Sequence, residues 1–199
     1  IDLGEINKRL KAMAREQSQE LTQNLLDHGV RIIHGSGRLD GNHNVIATNH
    51  DGKEERLEAK TIIVSVGAHP RTLESAKPDG ERILTWLDLY ELTEVPEHMI
   101  VVGSGVTGAE FASAFLGLGA KVTLVSSRDM VLPGEDQDAA ELIEQIFRGK
   151  GMNVLSKSRA ESVENTGSGV KVTLADGRTI EGSHCLMAVG GIPNTAGLM

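Results

Sequence analysis

The first segment of the chain places its hydrophobic residues at a helical period. Between residues 4 and 27 they recur mostly every three or four positions among charged and polar neighbours. This pattern predicts an amphipathic helix with one buried face, which Gly29 would end. The hydrophobic positions of that face are Ile6, Leu10, Met13, Leu21 and Leu25.

Beyond this helix, short apolar runs alternate with turns rich in glycine, asparagine and aspartate. The run at 30–33 predicts the first of several strands. A later run at 61–67 is apolar on both faces, as in a buried strand, and leads into a loop at Pro70. The run at 184–190 has the same character and also leads into a loop.

The most regular pattern follows a charged segment that contains Pro96. A strand at 99–102, a glycine-rich turn, a helix to about residue 118 and a strand at 122–125 form a βαβ unit with parallel strands. A second helix and a set of short alternating strands come next, at 136–150 and around 160–164, 170–174 and 178–181 with a turn at Asp176-Gly177. We therefore predict an α/β fold, with a doubly wound, Rossmann-like parallel sheet and an antiparallel β-meander.

The glycine-rich turn carries the motif with the clearest chemical meaning. Its residues fit the pattern G-x-G-x-x-G and are Gly103, Ser104, Gly105, Val106, Thr107 and Gly108. Between a strand and a helix, this pattern lets the backbone approach a pyrophosphate and presents free N–H groups at the helix N-terminus. The sequence thus predicts a dinucleotide site, and a tight turn without a ligand is the alternative.

The end of the following strand indicates which dinucleotide binds. A site for NAD(H) usually places an acid there to accept hydrogen bonds from the ribose hydroxyls. This chain instead has Ser126, Ser127 and Arg128, which can donate to a 2′-phosphate, so NADP(H) is predicted over NAD(H). Asp129 weakens this argument, and a solvated surface charge is the alternative for Arg128.

Composition narrows the range of partners. The 199-residue chain has 28 acidic and 20 basic residues, and its net charge of −8 gives no reason to expect nucleic acid as a partner. No apolar stretch is long enough to span a membrane, and the N-terminus lacks a signal-peptide pattern. We therefore expect a cytoplasmic protein.

Neither metal nor thiol chemistry is predicted. The histidines have no helical spacing of the kind that binds zinc, and no metal site is expected. Cys185 is the chain's single cysteine and lies within an apolar run. It cannot form an internal disulfide and is predicted to be an inert core thiol.

The segment from Ile100 to Glu110, followed by Phe111 and Ala112, resembles the FAD-dependent pyridine nucleotide-disulfide oxidoreductases. The strand exits at 64–70 and 188–195 add to this likeness, which covers essentially the whole chain. Within the family, the chain is most similar to quinone reductases related to lipoamide dehydrogenase.

The resemblance implies two domains from a longer parent protein that is truncated here at both ends. Residues 1–92 would be a partial FAD-binding segment, and residues 93–199 the NAD(P)-binding domain with the start of the return to the FAD domain. The parent would bind FAD and form a homodimer. This chain would lack part of the catalytic machinery, so we expect weak or no retention of FAD.

The resemblance also implies positions for individual residues. Glu110 would lie beside the nicotinamide and act in catalysis, and Gly190 would contact the cofactor through its backbone. Gly37 would lie near the FAD adenine, and Gly67 at the exit of the FAD domain.

By the same resemblance, the parent passes hydride from NADPH to FAD and on to a quinone or similar acceptor. A lipoamide dehydrogenase or another disulfide reductase is one alternative. A dinucleotide-binding module without catalytic activity is another, from a different functional class.

Overall fold

The computed structural model describes all 199 residues, Ile1 to Met199. It contains three α-helices, a 3₁₀ helix at Asp88–Glu91 and thirteen strands. The α-helices are α1 (Leu3–Asp27), α2 (Val106–Gly117) and α3 (Gln137–Gly149). The strands are β1 (Gly35–Leu39), β2 (Asn44–Asn49), β3 (Glu54–Glu58), β4 (Ala68–Pro70), β5 (Ile83–Leu84), β6 (His98–Val102), β7 (Lys121–Val125), β8 (Asn153–Leu155), β9 (Ala160–Asn165), β10 (Val170–Leu174), β11 (Thr179–Gly182), β12 (His184–Met187) and β13 (Gly191–Pro193).

These elements fall into two units. Unit 1 comprises Ile1–Lys11 and Pro70–Gly191, and unit 2 comprises Ala12–His69 and Ile192–Met199. Residues 70–92 thus group with the later part of the chain in this division. The predicted division into an FAD-binding segment, 1–92, and an NAD(P)-binding domain, 93–199, rests on the family resemblance and stays a prediction.

Unit 1 is built on a parallel five-stranded sheet in the order β5-β12-β6-β7-β8. The predicted βαβ unit is confirmed, because β6 and β7 pair in parallel and α2 connects them. Alternate side chains of β6 enter different parts of the core, as the pleat of a strand requires. Met99 and Val101 pack in one cluster with residues of α2, and Ile100 and Val102 pack in the other with residues of the meander.

The meander of unit 1 is an antiparallel sheet in the order β11-β10-β9. Val170, Val172 and Leu174 alternate with partly exposed residues along β10, and all three are buried. Gly177 has a φ of 85° in the turn between β10 and β11, where the Asp176-Gly177 turn was predicted. The mixed α/β fold expected from the sequence is therefore confirmed.

Unit 2 contains an antiparallel sheet in the order β1-β2-β3 and most of the short paired strands β4 and β13, each of which has one terminal residue in unit 1. Its only buried residues are Ile46 and Ala47, both on β2. This unit consequently has very little apolar core of its own.

Two expectations about the N-terminal third are wrong. Helix α1 forms as predicted, but its apolar stripe, from Ile6 to Leu25, is exposed, and the buried residues of α1 are Leu3 and Asn7. The runs at 30–33 and 61–67 are not strands, and the strands lie at 35–39 and 68–70 instead. Local periodicity indicates what a segment can bury, whereas burial and strand pairing also need a partner surface elsewhere in the chain.

No helix in the structure combines the length and apolar character needed to cross a membrane. No group of three or more His, Cys, Asp or Glu side chains is placed to hold a metal ion.

Candidate functional site

A cleft of about 290 Å³ lies in unit 1, where strands β6, β7 and β12 end. Parallel α/β sheets bind ligands at the carboxyl ends of their strands, where the loops leave the sheet. The cleft is lined by Ser104, Gly105, Val106, Thr107, Ser127, Arg128, Pro133, Ala188, Val189 and Gly190. These residues include one cation and no carboxylate, so the lining favours an anion.

Two glycines of the turn are required by the fold itself. Gly103 has a φ of 109°, and a Cβ there would collide with the carbonyl oxygen of Ala188. A Cβ on Gly108 would collide with the carbonyl oxygen of Gly103, where the helix packs against the strand. Both positions are therefore explained by close backbone packing without any ligand.

Gly105 is different, because nothing in the chain requires a glycine there. Its φ of −69° is open to any residue, and a Cβ would meet no atom within 4 Å. The space beside Gly105 is part of the cleft. A glycine that is unnecessary for the fold but faces an open cleft indicates a ligand that approaches the backbone closely.

The N-terminus of α2 is also open to a ligand. Gly105 is its N-cap residue, and no side chain caps the helix. Helix α3 shows the ordinary arrangement, since the Asp136 carboxylate accepts hydrogen bonds from the backbone N–H groups of Asp138 and Ala139. The first N–H groups of α2, by contrast, are available to an anion in the cleft.

The three residues predicted to hold a 2′-phosphate occupy different environments. Ser127 and Arg128 are exposed and line the cleft. Ser126 is fully buried and does not line it. The Ser126 Oγ lies 2.7 Å from the Ser104 Oγ and accepts a hydrogen bond of 3.1 Å from the Arg128 backbone N–H. Ser126 thus holds the turn that carries Arg128, whereas a direct contact of its hydroxyl with a phosphate does not fit this arrangement.

Arg128 is the exposed cation of the cleft. None of the ion pairs in the chain uses its guanidinium group. It therefore remains available for a charge-assisted hydrogen bond to an oxyanion.

The remaining predicted site residues of unit 1, Gly190 and Glu110, lie in different cavities. Gly190 lines it, with a φ of 101°, and its carbonyl oxygen accepts a 3.0 Å hydrogen bond from the Arg71 N–H. Glu110 lies instead along a larger groove of about 850 Å³ between α2 and α3. Val106 lines both cavities, so Glu110 is on the neighbouring side of the same helix end.

The two glycines predicted to serve a flavin site lie in unit 2. Gly37 is opposite Ala47 in the pairing of β1 with β2. Gly67 has a φ of 70°, and its carbonyl oxygen accepts a 3.0 Å hydrogen bond from the Asn194 N–H. Their predicted roles toward FAD stay predictions.

Sequence reasoning missed three residues of the cleft, Pro133, Ala188 and Val189. The last two follow β12, and β12 pairs directly with β6. The apolar character of β12 was visible in the sequence, but its position beside β6 depends on pairing between distant segments. Pro133 follows Leu132, whose backbone N–H donates a 2.8 Å hydrogen bond to the carbonyl oxygen of Ser104.

Cys185 takes no part in the cleft. It is fully buried on β12, and burial raises the pKa of its thiol. A neutral buried thiol is a poor nucleophile, in keeping with the prediction of an inert core residue.

Residues 3–198 match the family of pyridine nucleotide-disulphide oxidoreductases. The chain belongs to this family. The resemblance inferred from the glycine-rich segment and the two strand exits is thereby confirmed.

The chain is similar to several named proteins of this class. It is 50% identical over its whole length to an NAD(P)H dehydrogenase (quinone) of Mycobacterium tuberculosis, of which it covers 41%. It is 31% identical over 97% of its length to a dihydrolipoyl dehydrogenase of Zymomonas mobilis, of which it covers 42%. The crystal structure of LpdA from Mycobacterium tuberculosis matches all of the chain with a TM-score of 0.89 and 50% identity, and the match covers 44% of that chain.

These matches agree on family and fold. The chain spans about two fifths of the length of the curated relatives that it matches. The relatives are oxidoreductases by name, and the family name implies a pyridine nucleotide as a reactant.

Proposed function

We propose that the cleft at the ends of β6, β7 and β12 binds NADP(H) in preference to NAD(H). The observation that carries this proposal is the lining of the cleft, which combines an open Gly105, an uncapped helix N-terminus and Arg128 without any carboxylate. The first two features suit a pyrophosphate, and the third suits a 2′-phosphate.

Each part of the site has its own role in this proposal. The backbone at Gly105 and the first N–H groups of α2 hold the pyrophosphate. Ser127 and Arg128 donate hydrogen bonds to the 2′-phosphate, and Ser126 holds their turn from inside. Gly190 contacts the nucleotide through its backbone.

We propose that the whole protein is a flavoprotein oxidoreductase that uses a quinone or similar acceptor. The chemistry that bound FAD would supply is acceptance of a hydride from NADPH and transfer of two electrons to the acceptor. This chain's part is to bind and orient the nucleotide. Glu110 would lie beside the nicotinamide, Gly37 near the FAD adenine and Gly67 at the exit of the FAD domain. A homodimer and a cytoplasmic location belong to the same proposal.

The name of the 50% identical relative favours a quinone as acceptor. The dihydrolipoyl dehydrogenase relative supports a disulfide acceptor as the second candidate. Both candidates require the same nucleotide cleft, so the two are distinguished by assaying the whole protein with a quinone and with lipoamide as acceptors.

Calorimetric titration of the chain with NADPH and with NADH tests the nucleotide site. We expect NADPH to bind more tightly by roughly 1–3 kcal/mol, because it alone carries the phosphate to which Arg128 can donate charge-assisted hydrogen bonds. Arg128→Ala should weaken NADPH binding about tenfold and leave NADH unchanged, since only NADPH carries the 2′-phosphate.

Arg9→Ala is the matched control, because Arg9 is exposed on α1 and lies outside the cleft lining. A tighter complex with NADH would contradict the NADP(H) preference. Binding of neither nucleotide would contradict the site itself.

A further inference from the structure

A second cation lies close to Arg128. The Lys157 Nζ is 3.8 Å from the Oδ2 of Asp129, and Asp129 directly follows Arg128 in the chain. Both side chains of this pair are 74% exposed. Arg128 lines the cleft, whereas Asp129 lines a neighbouring pocket with Glu144 and Arg148. The paired charges of Asp129 and Lys157 thus lie next to the cleft along the chain.

Backbone hydrogen bonds determine where Lys157 lies. Its N–H donates a 2.8 Å hydrogen bond to the carbonyl oxygen of Arg128. The N–H of Ser158 donates a 2.7 Å hydrogen bond to the carbonyl oxygen of Ser126. Two successive residues are therefore attached to the turn that lines the cleft, and the position of Lys157 does not depend on the exposed ion pair.

The backbone conformation of Lys157 is unusual. Its φ of 52° lies in the left-handed region, and the one other non-glycine residue there is Leu132, at 54°. Lys157 donates its backbone hydrogen bond to Arg128, in the turn that begins at Ser126, and Leu132 donates one to Ser104, in the glycine-rich turn. Both residues therefore support the backbone around the cleft. Glycine and asparagine adopt this conformation most easily, and residues held in it against their preference cluster at ligand sites.

We infer that Lys157 determines specificity for the 2′-phosphate by neutralising Asp129. This inference rests on the proposed NADP(H) site. Asp129 directly follows Arg128, so their Cα atoms are about 3.8 Å apart, within the screening length of roughly 8 Å at physiological ionic strength, and the carboxylate opposes a phosphate bound by Arg128. With Lys157 the three side chains carry a net charge of +1, and without Lys157 the net charge is zero.

The experiment is a calorimetric titration of the 199-residue chain and its variants with NADPH and with NADH. Lys157→Met removes the charge and keeps most of the apolar stem. It should weaken NADPH binding about fivefold, the upper range for one exposed charge, and leave NADH unchanged. The double variant Lys157→Met/Asp129→Asn should return to the wild-type affinity for NADPH, because the acid that Lys157 neutralises is gone.

Two controls separate this role from a general effect of charge or folding. Lys171→Met removes a partly exposed lysine whose Nζ lies 3.3 Å from Glu164 in the meander, and it should change neither affinity. Lys157→Arg should keep the wild-type preference. The melting temperature of Lys157→Met should equal that of the wild type, because an exposed pair contributes little to stability.

The outcomes distinguish this inference from the proposed function. The role of Lys157 would be overturned by any of three results: unchanged NADPH affinity in Lys157→Met, equal losses for both nucleotides, or failure of Asp129→Asn to restore binding. If the wild type still prefers NADPH in that case, the proposed NADP(H) site stands. Equal affinity of the wild type for both nucleotides would overturn the NADP(H) site and the role of Lys157 together.

Discussion

Among single residues, Gly105 is the one whose surroundings favour a ligand-binding turn over an ordinary strand-to-helix turn. Its neighbours in the motif, Gly103 and Gly108, leave no room for a Cβ, whereas Gly105 has open space beside it. The motif was recognisable from the sequence, but which of its glycines the fold itself requires is visible only in the packing. The inward position of Ser126 was likewise unpredictable, because its partner Ser104 is 22 residues away along the chain.

Alanine variants of the glycine turn should therefore affect different properties, namely nucleotide binding at Gly105 and stability at Gly103. Gly105→Ala should leave the free energy of unfolding unchanged or slightly higher. If the proposed site is correct, it should weaken NADPH binding about tenfold or more, because its Cβ would enter the space proposed for the pyrophosphate. Gly103→Ala should lower the free energy of unfolding by about 3 kcal/mol, through a collision and a left-handed φ. Urea denaturation and calorimetry measure the two quantities. Unimpaired NADPH binding by Gly105→Ala would contradict the assignment.

Among the elements, the best predicted were those whose strand, turn and helix patterns follow one another directly in the sequence. The strand, turn and helix from 98 to 117 follow one another without a gap, and each limits the others. The apolar runs at 30–33 and 61–67 lacked such support and did not form strands. Strand β5 has only two residues, and its hydrogen bonds go to β12, so no local pattern could indicate it.

The short segment before β5 is held by Asp79. Its carboxylate accepts hydrogen bonds from the backbone N–H groups of Glu81, Arg82 and Ile83, and from the Asn165 side chain on β9. Burial opposes ionisation of Asp79, but these hydrogen bonds outweigh it and lower its pKa to about 2 from an ordinary 3.8. A lowered pKa means that ionised Asp79 stabilises the fold above its unfolded pKa, and that this contribution is lost as the pH falls toward 2.

Asp79→Asn should therefore reduce the acid sensitivity of unit 1. Between about pH 5 and pH 2.5, the free energy of unfolding should fall less in this variant than in the wild type. Glu161→Gln, a neutralised exposed carboxylate on β9, is the control and should follow the wild-type curve. Urea denaturation at a series of pH values measures the difference, and parallel curves for Asp79→Asn and the wild type would contradict the role of Asp79.

At the scale of the whole molecule, the two units differ sharply in core. Unit 1 contains both apolar clusters, including strands whose residues are fully buried, such as Ile100, Leu124 and Leu186. Unit 2 buries only Ile46 and Ala47. Because apolar burial is the main stabilising contribution to folding, the two units should differ in local stability.

Hydrogen exchange should reveal this difference directly. We expect the amides of β1, β2 and β3 to exchange through local opening, at least about a hundredfold faster than those of β6, β7 and β12. Mass spectrometry of peptides from each strand measures the rates. Equal protection of the two sheets would contradict the expectation and would indicate a single cooperative unit.

Strand β12 is the last strand of the parallel sheet along the chain, yet it lies inside the sheet, between β5 and β6. Until β12 has emerged from the ribosome, β5 has no neighbour and β6 has an open edge. Pairing between such distant segments has to wait for a long loop to close and is slow to form. Ala188 and Gly190 of the cleft follow β12 directly, so the lining of the cleft is incomplete until β12 has paired with β6. If the proposed site is correct, the onset of nucleotide binding during refolding would report the insertion of β12 between β5 and β6.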